Sequence, residues 1–473
     1  MEKLTKIVAT ISDNKCDTKF LKELHDAGMN VVRLNTAHQN TNQSLKIIEN
    51  IRKVSSKIAV LIDTKGPEIR TTESSYTYKI KQGDRVKVKG DPTRPTDEDQ
   101  VYVNFSDFVT QMDEGKTIMI DDGAIELIIE EKHEDHLLCS AKNSGVIKPR
   151  KSVNLPGTSI SLPSLSDKDL EFIDLAIKQN IDFIAHSFVR NKEDVLAIQR
   201  ILNRHKSPVK IIAKIENQEG LNNIDEILDH VYGIMVARGD LAIELPAERI
   251  PVVQNMIINK CIRRKKAVII ATQMLHSMIK NPRPTRAEVS DVANAVFSGA
   301  DAIMLSGETA YGSYPVQAVE IMSKTAHEAE SSKPALLEQD VMPHENEISV
   351  FLSKTAIRTV PELNTKAVIT DTDTGKTARY ISAYRGKVPI FAQCYEMRVV
   401  RELALNYGVY PDFMEVETSK KEFIHATLNR LIKKGEINPG DLIAVLAGNF
   451  GKKAGPSFVE VSTAQNLLSN QKH

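Results

Sequence analysis

What this sequence lacks closes off several classes of function. No apolar run approaches the roughly 18 residues that a membrane span needs, so no membrane partner is expected. The four cysteines, Cys16, Cys139, Cys261 and Cys394, are scattered, and none forms a C-x-x-C pair. Neither a zinc site nor a disulfide framework is therefore expected, and reduced thiols in a cytoplasmic protein are the simple reading. An excess of one charge is also missing: Lys+Arg and Asp+Glu both number 62. That argues against a general nucleic-acid binder and leaves any phosphate recognition to local clusters. The opening "MEKLTKIVATISDNK" has lysines but too short an apolar stretch for a signal peptide.

What is present is a globular composition in a chain of 473 residues, too many for one ordinary domain. Short, β-rich apolar runs recur, each followed by a helical pattern. They are "KIVATI" (6–11), "NVVRLNT" (30–36), "IAVLIDT" (58–64), "IDFIAHSF" (181–188), "KIIAKI" (210–215), "GIMVAR" (233–238), "AVIIAT" (267–272) and "DAIMLSG" (301–307). Continuous apolar strands imply burial on both faces, as in parallel sheets. Eight βα units most simply close into an α/β fold of the (β/α)8 barrel type. An open doubly wound sheet is the rival, but it calls for a glycine-rich turn after the first strand, where "ISDNKC" stands.

The rhythm breaks between the third and fourth runs. Alternating strands such as "DRVKVKG", "QVYVNF" and "AIELIIEE" read as a small inserted β-barrel, returning through "VNLPGTSISLPSLSDKD", whose prolines and glycine suit a hinge. Ser166-x-x-Asp169 then reads as a helix start. Later strands "KAVIT", "VPIFAQC" and "DLIAVLAG" alternate with helices and suggest a smaller open α/β sheet. The expected division is residues 1–66 with 161–335 for the barrel, 67–160 for the inserted lid and 336–473 for the C-terminal domain.

Barrel active sites form at the C-terminal ends of the strands. Those ends carry Arg33 and Asn35; Asp63, Thr64 and Lys65; Ser187; Lys214 and Glu216; Arg238, Gly239 and Asp240; Thr272; Ser306 and Glu308. Lys214 and Glu216 are two residues apart on one strand, so they share a face about 7 Å apart. Glu216 and Asp240 come from adjacent strand ends. Two hard carboxylates without histidine or cysteine suit Mg²⁺ or Mn²⁺. Arg33, Arg70 and Lys214 beside such a metal imply a highly anionic substrate, as phosphoryl transfer requires. Gly239 and Asp240 begin a helical turn whose free N–H groups can receive a carboxylate, with the Thr272 hydroxyl nearby. Taken singly, a Lys–Glu pair is equally well a solvated ion pair, and a lone Asp or Thr is more often a turn former. The alignment of many such groups at one rim favours a ligand site. In "TDTDTGKTA" (370–378) a P-loop ending is imitated, but its first glycine would fall at Thr370, so the motif fails. An anion nest and an ordinary capped turn both remain readings of that loop.

The stretches "TKIVATI", "GMNVVRLN", "DTKGPEIRT", "VNLPG", "KIIAKIEN", "GIMVARGDL" and "ATQMLHSMIKNPRPTRAEVSDVANAVFSGADAIMLSGETA" resemble the pyruvate kinase family, in family order. The resemblance implies phosphoryl transfer from phosphoenolpyruvate to ADP, as the last step of glycolysis. It implies that Lys214 stabilises the transferring group, that Glu216 and Asp240 hold the divalent metal, and that Arg33 contacts the substrate phosphate. Gly239, Asp240 and Thr272 would receive the carboxylate, and Arg70, His38 and Lys151 the nucleotide. Asp122, in the lid's "DDG", would reach the site on closure, which excludes water. Thr272, Lys214 or a water chain through Ser306 and Glu308 would supply the proton. A cytoplasmic homotetramer is implied, with a phosphorylated effector at "TDTGKTA".

Some residues depart from the family pattern. The family's K⁺ site would use Asn35, a serine at position 37, Asp63 and Thr64, but Ala37 removes one oxygen. Glu68 is nevertheless the type found in K⁺-dependent members, so K⁺ dependence with a weakened or water-completed site is expected. The loop "AGNFGKKAGPSFVEV" only partly resembles the family's closing loop. Two rivals stand beside this reading: another Mg²⁺-dependent enolpyruvate barrel enzyme, and a weakened paralogue that senses metabolites.

Overall fold

The computed structural model describes residues 3–158, 160–332, 341–342, 347–416, 419–448 and 455–469. The expected boundary at 335 and the loop residues 449–454 lie outside them. Eight parallel strands close into a barrel: Lys6–Thr10, Val31–Asn35, Ala59–Asp63, Phe183–His186, Lys210–Ile215, Gly233–Ala237, Ala267–Ala271 and Ala302–Leu305. They coincide with the eight apolar runs. Alternation along each strand separates two cores. Val8, Val31, Leu61, Phe183, Ile212, Met235, Ile269 and Met304 fill the barrel interior. Their neighbours, among them Ile7, Val32, Ile184, Ile211 and Ile270, pack outward against the helices. Lys214 shares the inward parity of Ile212, and Glu216 continues it past the strand end.

The parity also explains His186. It follows Ile184 onto the helix-facing side, is 1% exposed, and neither ring nitrogen has a hydrogen-bond partner. Burial lowers its pKa from 6.5 to about 4, against the opposing pull of Asp194 and Asp169. A His whose folded-state pKa is depressed contributes stability above its unfolded pKa and loses it as pH falls towards the folded one. Between pH 6.5 and 4 this single group therefore withdraws about 3 kcal/mol of stability. His186→Phe, which gives up no hydrogen bond, should flatten the fall in melting temperature between pH 7 and pH 5. An unchanged pH profile would assign the acid lability elsewhere.

The inserted region contains a six-stranded and a two-stranded sheet around one apolar core that includes Val88, Phe108, Ile118, Leu127 and Cys139. Its return leg leads to the helix Asp167–Lys178, which starts with a capping box between Ser166 and Asp169, as expected. Asp169 also accepts the Lys65 N–H at 2.9 Å and the Gly66 N–H at 3.3 Å, fixing the outgoing leg to the returning one. Gly66 has φ +70°, and a Cβ there would lie 2.9 Å from Ser187 and Phe188 side-chain atoms, so this exit accepts only glycine.

The C-terminal region forms a five-stranded sheet, Val409–Phe413, Ile390–Cys394, Ala367–Thr372, Leu442–Gly448 and Pro456–Thr463 in spatial order, with the last strand antiparallel. Two of these, Val409–Phe413 and Pro456–Thr463, were not among the expected strands. The sheet's loops plug the base of the barrel: Leu405 joins the barrel-interior core. Asp301 pairs with Arg385 at 2.7 Å, and Arg401 reaches Asp182 at 2.6 Å. Among the described residues, no helix is long and apolar enough to cross a membrane.

Candidate active site

At the barrel mouth a cavity of about 270 Å³ lies between the strand ends and the inserted region. Arg33, Asn35, Asp63, Thr64, Lys214, Glu216 and Asp240 line it from the barrel, and Arg70, Asp122 and Lys151 from the inserted side. Thus residues far apart in sequence converge on one space. His38 does not: it is exposed on the turn after the second strand and is absent from the lining.

The floor is a chain of charges. Lys214 Nζ lies 2.9 Å from Glu216 Oε1 and 3.1 Å from Asp63 Oδ1, and donates to Ser187 Oγ at 2.7 Å. Arg33 Nε donates to Asp63 Oδ2 at 2.6 Å. Burial opposes the Lys214 charge, but Asp63 and Glu216 outweigh it and hold the ammonium above its ordinary pKa. Burial would likewise raise Asp63, yet Arg33 and Lys214 keep it below the carboxylate range. Glu216 and Asp240 behave oppositely. Burial raises both, and Asp240 raises Glu216 further.

Two cations, Arg33 and Lys214, therefore face three carboxylates, Asp63, Glu216 and Asp240. The surplus lies on the last two, whose ionised forms are disfavoured until a cation joins them. Their hard oxygens fit a divalent ion that completes its shell with water and substrate oxygens. The Phe188 N–H also donates to Glu216 Oε2 at 2.6 Å, leaving Glu216 held from two sides.

Thr272 and Gly239 both sit outside the cavity lining, with Asp240, the next residue after Gly239, inside it. Thr272 adopts φ +67°, a left-handed conformation that is costly for a β-branched residue. Arg238 holds the turn, donating to the Thr272 carbonyl at 2.7 Å and pairing with Asp291 at 2.6 Å. The Gly239 N–H, expected to be free, donates to Thr272 Oγ1 at 2.8 Å. With Thr272 turned towards it, the amide has a local acceptor that a ligand must displace. The expected Ser306–Glu308 proton chain is also committed: Glu308 accepts the Ser306 N–H at 2.8 Å and the Leu275 N–H at 3.2 Å, capping these loops. Arg70 is held by Glu68 at 2.7 Å, and Lys151 by Asp121 at 2.8 Å. Of the expected K⁺ ligands, Asn35 and Asp63 are in register across adjacent strands. Asn35 Oδ1 accepts the Ala37 N–H at 3.2 Å, and Thr64 Oγ1 accepts the Ser187 N–H at 3.0 Å.

Sequence reasoning gave Asp63 only to the K⁺ site and gave Ser187 and Arg238 no task. Their place at strand ends was the available signal; their partners come from other strands.

Fold and site together define an enzyme-like barrel whose mouth sets two cations beside buried carboxylates. Residues 2–319 match the family described as pyruvate kinase, barrel domain, and residues 351–461 match pyruvate kinase, alpha/beta domain. The pyruvate kinase of Borreliella burgdorferi is 46% identical over 100% of this chain and 99% of its own length. That of Bacillus licheniformis is 41% identical over 98% of this chain and 81% of its own. A crystal structure of a pyruvate kinase from Cryptosporidium parvum superposes with TM-score 0.92 at 36% identity, covering 98% of this chain and 96% of that one. The chain belongs to the pyruvate kinase family.

Proposed function

We propose that this chain transfers the phosphoryl group of phosphoenolpyruvate to ADP, giving ATP and enolpyruvate, which is then protonated to pyruvate. What carries the reading is the buried Lys214 with Glu216 and Asp240 at the mouth of a barrel of this family. Lys214 presents a permanent charge to the phosphoryl oxygens as they separate from the enolate oxygen. Arg33 binds the same phosphate. Gly239, Asp240 and Thr272 receive the carboxylate once the Gly239–Thr272 bond opens. Arg70 and Lys151 face the nucleotide from the inserted lid, and His38 joins them only if its turn moves inward. Glu216 and Asp240 would hold Mg²⁺ or Mn²⁺, which when bound neutralises phosphoryl charge. Closure of residues 67–160 over 1–66 and 161–335 excludes water that would hydrolyse the donor. Asp63 and Glu216 hold the Lys214 ammonium above its ordinary pKa and so weaken it as an acid; Thr272 would instead relay a proton to the enol carbon, taking one from solvent water as it gives its own.

The oxygens of Asn35, Asp63 and Thr64 suit K⁺, with Ala37 adding none. We expect K⁺ to stimulate pyruvate formation several-fold; full activity in its absence would remove this site from the mechanism. The family reading extends to a cytoplasmic homotetramer and to a phosphorylated effector at the "TDTGKTA" loop of residues 336–473. Gly375 there has φ +76° and caps Lys376–Ala383 without a side chain. The deciding experiment is pyruvate formation from phosphoenolpyruvate with and without ADP and Mg²⁺. Activity that ignores ADP would favour another enolpyruvate enzyme, and no turnover would favour a sensor.

A further inference from the structure

A second cavity, of about 320 Å³, lies where the two legs of the inserted region meet the barrel. Its size is that of a small-molecule site. Pro67 and Ile69 from the outgoing leg, Leu155, Ile160 and Leu162 from the returning one and Phe188 from the barrel give it an apolar wall. It is distinct from the cavity at the mouth but shares two lining residues with it, Glu68 and Phe188.

The charge in this lining is uneven. Three carboxylates, Glu68, Glu219 and Glu244, stand against one cation, Arg190. Glu68 is held by Arg70 at 2.7 Å. Arg190 pairs with Asp194 at 2.9 Å, donates to the Ile160 and Leu162 carbonyls and feels the charge of Glu219. Glu244 is different. It ends the helix Arg238–Glu244 and is held by the N–H groups of Gln218 and Gly157, with no cation among the groups that act on it. Burial raises its pKa, and the two amides only partly offset that. A partly buried carboxylate beside an apolar wall is relieved by a positive charge carried on an apolar body.

We propose that this cavity binds a small organic ammonium ion, its nitrogen on Glu244 and its hydrocarbon against Ile69, Leu155 and Phe188. The Gly157 N–H belongs to the returning leg and Glu244 to the barrel, so the occupant sits at the joint between them. Through Glu68 and Phe188 it also touches the residues that hold Arg70 and Glu216 at the mouth.

The test is calorimetric titration of the full chain, in saturating Mg²⁺, with phenethylammonium, with phenethyl alcohol as its neutral analogue and with hydrocinnamate as its anionic one. Saturable binding of the ammonium ion is expected, with the alcohol about tenfold weaker or more and the carboxylate silent. Glu244→Gln keeps an acceptor for the amides but no charge, and should weaken ammonium binding about tenfold, the loss of one charge-assisted contact. Asn222 lies exposed at the rim, so Asn222→Lys supplies a competing ammonium and should weaken binding similarly. Should Glu244→Gln melt early, Asn222→Lys decides. Glu216→Gln should leave binding unchanged. Binding lost in Glu216→Gln, or abolished by Mg²⁺, would place the ammonium at the barrel mouth and overturn the proposal. So would equal binding of the alcohol, indifference to a folded Glu244→Gln, or no saturable binding at all. No arm of the test uses turnover, so failure here leaves the catalytic reading standing.

Discussion

Lys214→Met should lower kcat by about 10³-fold or more while changing the KM for phosphoenolpyruvate little. The ammonium is fixed before substrate arrives, between Asp63 and Glu216 and on Ser187, so it needs no reorganisation when charge develops on the phosphoryl oxygens. Its interaction is then strongest in the transition state, the condition for an effect on kcat. Methionine keeps the length and packing but leaves Asp63 with Arg33 as its one cation beside the Ser187 hydroxyl, and Glu216 with the Phe188 N–H and Asp240. Removing one partner of a buried ion pair costs about 3–5 kcal/mol, so a lower melting temperature should accompany the catalytic loss. Glu216 can soften that loss by taking up a proton. The measurement is steady-state kinetics beside a melting curve. A large rise in KM with kcat intact would make Lys214 a binding residue instead.

The largest structural effect is expected at the opposite end of the barrel, from Arg385→Ala. Arg385 and Asp301 are each 2% exposed, and their groups are almost fully satisfied. Arg385 also donates to the Gly299 and Ser382 carbonyls, while Asp301 accepts the N–H groups of Val268 and Tyr407. Truncation strands the Asp301 charge in the seam, and a loss of about 3–5 kcal/mol should follow. Arg358→Ala provides the control. Its pair with Glu362 is exposed on the helix Glu347–Leu363 and should cost at most about 1 kcal/mol. Urea unfolding of both variants gives the comparison; equal midpoints would mean that the buried pair holds nothing together. In a chain with several separate cores the C-terminal sheet should loosen first, so tyrosine fluorescence and circular dichroism need not coincide.

Much of this architecture could be read from the chain. Eight apolar runs gave eight barrel strands because parallel strands buried on both faces leave a continuous hydrophobic signature. The position of Lys214 and Glu216 followed from the same rule, since a strand's polar end can only face its mouth. The Ser166–Asp169 helix start was legible because capping is local. The strands Val409–Phe413 and Pro456–Thr463 were not: the first contains Pro411 and an alternation too short to stand out, and the second pairs antiparallel at the sheet's edge.

The sequence by itself determined which residues are chemically able to work here: the lysine, the carboxylates and the arginines at strand ends, and the family to which they belong. Tertiary structure decided how they share their charges. It paired Asp63 with both Arg33 and Lys214, turned Thr272 onto the Gly239 N–H, committed Glu308 to two backbone amides and left His38 outside the cavity. Local pattern fixes a strand and its parity over a few residues. Charge balance depends on partners that closure of the barrel brings from distant segments, at distances of about 3 Å that no spacing along the chain encodes.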